Sequence, residues 1–124
     1  MIEQPQAHSA SPVDLTEMKK AVGGKMEVIR LLVDHILVDF PEKLRQIRQG
    51  LASGDAEKVR AVAHTLKSSF ASFGAAEARD IAKALEVLGA AGELAGAEKI
   101  LRRLEQEIER IVVFFLDPGW LDKG

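Results

Sequence analysis

The chain has 124 residues, the size of one ordinary domain, and its 47% apolar content is enough to build a core. A formal net charge of −2 argues against the basic stripe of a nucleic-acid binder, and the absence of cysteine excludes disulfides and thiolate metal sites. No apolar run approaches the ~20 residues that span a bilayer, and the N-terminus lacks the basic-then-apolar order of a secretory signal. A cytoplasmic domain with no nucleic-acid or membrane partner is therefore expected.

Residues 1–12 are polar, carry two prolines and show no periodicity, so they are expected to form a flexible tail in which His8 is a bystander. A short helix is predicted over 13–22, with Asp14 as its cap, Glu17 as the capping-box partner and Gly23-Gly24 as its stop. Residues 25–40 form the next periodic segment, through Val28, Ile29, Leu32, Val33, Ile36 and Leu37. Pro41 should kink or break it, because proline lacks a backbone donor. Helix resumes over 42–51 and ends near Gly54. His35 is expected at the core boundary, with Asp34 or Asp39 near enough to bond it.

Asp55 is a suitable N-cap for a helix running to about Phe73, where Gly74 provides a left-handed stop. Ala75 to Leu88 reads as the following helix, closed by the segment Gly89-Ala90-Ala91-Gly92. The longest helix is predicted over 93–116, its apolar positions Ala97, Leu101, Leu104, Ile108, Ile111 and Phe115 alternating four and three apart as in a bundle seam. Glu105-Gln106-Glu107 and Arg102-Arg103 read as a solvated face, Asp117-Pro118-Gly119 as a stop, and 118–124 as a C-terminal tail. No strand pattern occurs. An all-α, antiparallel up-down four-helix bundle over 13–117, with a short extra N-terminal helix across one end, satisfies this pattern.

His64 stands apart from that pattern. Val59, Val62, Ala63, Leu66, Phe70 and Phe73 gather on one helical face, and His64 falls roughly 140° from its centre. The imidazole therefore points to water. Arg60 lies one turn before it and Lys67 and Ser68 one turn after it, while Ala61 and Ala71 keep the flanks low. Three histidines and no cysteine, with neither a Glu-x-x-His pair nor His-Glu-x-x-His, argue against a metal centre. General-base catalysis requires a pocket and an orienting group, neither of which a convex helix face supplies. Nucleophilic acceptance of a phosphoryl group fits best. The two cations should disfavour imidazolium before transfer and pair with the phosphoryl oxygens after it.

The stretch Ala63-His64-Thr65-Leu66-Lys67-Ser68-Ser69, followed by Phe73-Gly74-Ala75, resembles the signature of the histidine-containing phosphotransfer (HPt) domain. Gly23-Gly24-Lys25-Met26-Glu27, the Asp39-Phe40-Pro41-Glu42 segment and the Leu85-Glu86 pair extend the resemblance over about residues 14–115. It implies a helical bundle that relays phosphate from the receiver domain of a hybrid histidine kinase to that of a response regulator. By position, His64 would be the acceptor, Lys67 the phosphate-stabilising base, and Ser68 the small residue most often glycine. Arg60, Ala61, Ala71 and Gly74 would complete the face that a receiver approaches. No cofactor is expected in the chain itself, since the receiver supplies the acidic pocket and Mg2+. A monomer is expected, acting as a phosphocarrier and not an enzyme. Two alternatives compete with this reading. One is an adaptor or inhibitor that binds receivers without chemistry. The other is the dimerising bundle of a histidine kinase, where Glu or Asp usually follows the histidine. Thr65 occupies that position here, and no ATP-binding domain is expected.

Overall fold

In a computed structural model the structure describes residues 11–122. The N-terminal tail expectation therefore lies, apart from Ser11 and Pro12, outside the described residues, as does His8. Among the described residues, six helices run in order: α1 Thr16–Ala21, α2 Met26–Ser53, α3 Ala56–Ser72, α4 Ala76–Ala91, α5 Ala97–Leu116 and α6 Gly119–Asp122. Each of α2 to α5 packs on its neighbour in sequence, and α5 closes back on α2. Short connections make those neighbours antiparallel. The expected four-helix bundle with an additional N-terminal helix is what forms.

The core follows from the apolar faces. Ile29, Val33, Phe40 and Ile47 of α2 meet Val59, Ala63, Leu66 and Phe70 of α3, and all are buried. Phe40 and Phe70 pack edge to face with centroids 5.0 Å apart, a geometry that aromatic quadrupoles favour. Asp55 caps α3 as expected, its side chain accepting from the Lys58 amide at 3.0 Å.

Pro41 does not break the helix as expected. α2 is one helix of 28 residues with Pro41 inside it. The flanking Phe40 and Ile47 are both buried, whereas Pro41 is exposed. Burying two large side chains in one core, at about 1.5–3 kcal/mol each, offsets the ~3 kcal/mol that an interior proline costs. Similarly, α4 does not stop at Leu88 but continues through Gly89 to Ala91, and Gly92 with φ 70° ends it. α5 begins at Ala97, later than the expected residue 93.

Further expectations are corrected. Within the expected C-terminal tail, Gly119–Asp122 form α6, which buries Trp120 against Phe115, with Trp120 Nε1 donating to the Phe115 carbonyl at 3.0 Å; residues 123–124 lie outside the described residues. Glu107 is not on a solvated face; it is buried on α5, and Arg110 donates to its carboxylate at 2.9 Å. Glu105 reaches across to bond Arg48 of α2. His35 is exposed, beside a groove that the buried Met18, Ile36 and Phe73 also line, and Asp39 bonds Lys43 at 2.8 Å.

At the N-terminus, Asp14 does not close a capping box with Glu17. Its carboxylate accepts from the Thr16 amide at 3.0 Å and the Thr16 hydroxyl at 2.6 Å. Those two bonds hold its carboxyl below the ordinary carboxylate range. The Asp14 amide donates to the carbonyls of Phe73 and Gly74. The lead-in to α1 thus docks on the α3–α4 turn, at one end of the bundle. Among the described residues, no helix is long and apolar enough to cross a membrane.

Candidate functional site

His64 sits at mid-length on α3, on the flank facing α4. Its side chain is 54% exposed, while Ala63 and Leu66 beside it are fully buried. The helical period accounts for this split: the apolar neighbours fix the rotation of α3, and that rotation leaves His64 outside. Phe70 and Phe73 lie in the core, as expected.

The site is completed by α4. One oxygen of Glu86 lies 2.7 Å from His64 Nδ1, and the other lies 2.7 Å from Lys67 Nζ. One carboxylate therefore bridges the imidazole and the ammonium. The Lys67 bond first, and the His64 bond after the opposing effect of desolvation, hold the Glu86 carboxyl below its ordinary value. An ionised carboxylate at Nδ1 accepts the N–H of that nitrogen and so fixes the tautomer. Nε2 then carries the free lone pair.

The charge balance differs from that inferred for α3 alone. Arg60 donates from Nε to Glu57 at 2.9 Å, which raises the guanidinium pKa through that bond. Lys67 is paired with Glu86. The unopposed repulsion expected from two cations therefore does not describe this site, because each cation has a carboxylate partner. Nor does His64 lack an orienting group: the neighbouring helix supplies one.

Ala61, Ser68 and Ala71 are exposed around the imidazole. Small side chains leave His64 and its immediate surroundings open to close approach. Gly74 lies at the end of α3, half-buried, with φ 63°. A Cβ there would meet the Asp14 carbonyl oxygen at 2.0 Å, so the crossing of the N-terminal segment accounts for glycine at this position. Among the described residues, no group of three His, Asp or Glu side chains converges as a metal site.

Glu86 is the residue that reading α3 by itself does not find. Its signal is positional. His64 lies eleven residues before Ala75 and Glu86 eleven after it. In an antiparallel helix pair joined by a tight turn, equidistant residues come level with each other.

A search of curated protein sequences finds no match. Among solved structures, the chain is similar to the crystal structure of histidine-containing phosphotransfer protein B (HptB) from Pseudomonas aeruginosa PAO1, with a TM-score of 0.76 and 25% identity over 93% of this chain and 98% of that one. The family model of the Hpt domain matches residues 31–113, which include His64, Lys67 and Glu86. On that match, which spans all of α3 and α4 and most of α2 and α5, the chain belongs to the Hpt domain family.

Proposed function

We propose that His64 is the phosphoacceptor of this histidine phosphotransfer domain. The observation that carries the reading is the bond between His64 Nδ1 and Glu86, which leaves Nε2 free on a half-exposed ring. In the forward step the Nε2 lone pair attacks the phosphorus of an aspartyl phosphate on a receiver domain. The N–P bond forms as the O–P bond breaks, and the aspartate carboxylate leaves. The reverse step, on a second receiver, discharges the group. We infer that a hybrid kinase receiver is the donor and a response regulator receiver the acceptor, with Mg2+ held in the receiver pocket.

Lys67 is assigned to the phosphoryl group. Its ammonium already lies within one turn of the ring, and a charge-assisted bond to a phosphoryl oxygen is stronger than a neutral one. Ala61, Ser68 and Ala71 admit the partner by their small size, and Arg60 lies at the border of that face. The chain acts as a monomeric phosphocarrier in the cytoplasm, where such receivers work.

The test is to mix the protein with a phosphorylated receiver domain and Mg2+. Label should move to His64 as an acid-labile, alkali-stable phosphoramidate. Undiminished labelling of His64→Gln would overturn the assignment.

A further inference from the structure

The bridging carboxylate has a second consequence, for the phosphorylated state. When neutral imidazole attacks through Nε2, the product ring carries a positive charge and still holds the Nδ1 proton. If that proton were lost, breaking the P–N bond would expel an imidazolate. If it is retained, breaking the bond returns the electron pair to Nε2 and expels neutral imidazole, a far better leaving group. The proton at Nδ1 therefore decides how readily the phosphoryl group departs.

Glu86 Oε2 is 2.7 Å from that nitrogen, and an anion at such a distance stabilises the protonated ring. The other charged groups act less directly. On α3, Arg60 is paired with Glu57 and Lys67 with Glu86. On α4, Lys83 is exposed one turn before Glu86. On α2, which packs against the opposite flank of α3, Asp39 and Lys43 neutralise each other.

We propose that Glu86 is a positioning residue that keeps phosphorylated His64 protonated at Nδ1, so the phosphoryl group arrives and leaves without a proton moving. This rests on His64 being the phosphoacceptor. It assigns to α4 the setting of phosphoryl lability, a property that the acceptor helix does not carry by itself.

The experiment loads the full chain from a phosphorylated receiver, removes the receiver, and follows phosphohistidine by 31P NMR and by its hydrolysis rate as pH is raised. In Glu86→Gln the ring should lose its proton at a pH lower by roughly one unit or more. At pH above both midpoints, hydrolysis and transfer to fresh receiver should then slow ~tenfold or more, in proportion. Because glutamine also releases Lys67, the same comparison is made in a Lys67→Ala background, where the downward shift should persist. A second readout needs no variant at Glu86. In 15N NMR of the phosphorylated wild type, Nδ1 should still be protonated at a pH where a phosphorylated peptide spanning α3 alone has lost that proton. Coincident pH curves for wild type and Glu86→Gln overturn the proposal, as does a shift that vanishes without Lys67. A wild type that never labels at His64 overturns the phosphoacceptor reading, and this proposal with it.

Discussion

The backbones of α3 and α4 touch where Arg60 passes Gly89. A Cβ on the glycine would meet the Arg60 amide nitrogen at 2.7 Å and the Ala56 carbonyl oxygen at 2.9 Å. Backbone atoms cannot swing aside as a side chain can. The glycine therefore sets the separation of the two helices, and that separation is what lets Glu86, one turn earlier, reach His64 and Lys67.

Gly89→Ala should destabilise the bundle even though alanine favours helix by about 1 kcal/mol. Overpacking against backbone costs about 1–3 kcal/mol, so the net change is a lower urea midpoint. Displacing α4 should also slow phosphotransfer by more than the lost stability explains. Urea titration and transfer kinetics on the same variant separate the two effects.

Lys67→Ala should slow transfer to and from His64 without unfolding the protein. The ammonium is partly exposed and bonds Glu86 across the surface, so its removal leaves the core intact. Circular dichroism should be unchanged. Equal transfer rates in wild type and variant would remove Lys67 from the chemistry.

Gly74→Ala tests a different kind of glycine. Its positive φ costs a side chain about 1–2 kcal/mol, and the Asp14 carbonyl occupies the space that a methyl group would need. The expected result is a lower melting temperature, with the lead-in to α1 released and more readily cleaved by protease. Labelling of His64 should persist, since the acceptor helix remains.

Trp120→Ala should destabilise the fold by about 3 kcal/mol, within the range for truncating a buried aromatic. Trp120 packs edge to face on Phe115 at 5.1 Å and closes the end of the bundle opposite the α2–α3 turn. Thermal unfolding followed by circular dichroism measures the loss. A melting temperature equal to wild type would mean that α6 contributes nothing.

The acid limb of the stability curve should carry a contribution from Glu86. Its carboxyl is held below the ordinary 4.5, chiefly by Lys67. Stability from such a group is fully present above its unfolded value and is lost as pH falls through the lower folded value. The stability difference between wild type and Glu86→Gln should thus be constant at neutral pH. It should shrink as pH drops below 4.5. A difference independent of pH through that range would show that the bridge does not contribute to folding.

Periodicity by itself determined the helical class, the approximate helices, the buried face of α3 and the exposure of His64. A 3.6-residue repeat of apolar side chains states which way a helix must turn, and every residue of that helix is oriented at once. The identity of the acceptor candidate followed from the same local information. Contacts between helices were decided only in the tertiary structure. Pro41 stays inside α2 because the core holds both sides of it, a long-range packing effect that outweighs a local breaking tendency. Trp120 and Glu107 are buried because neighbouring elements cover them, which no local pattern records. Above all, the partner of His64 comes from another helix: the length of the turn and the close approach at Gly89 bring Glu86 to the ring. Sequence placed a lone imidazole between two cations, and tertiary packing made it an imidazole held by a carboxylate, because its distance from Glu86 depends on how two helices pack.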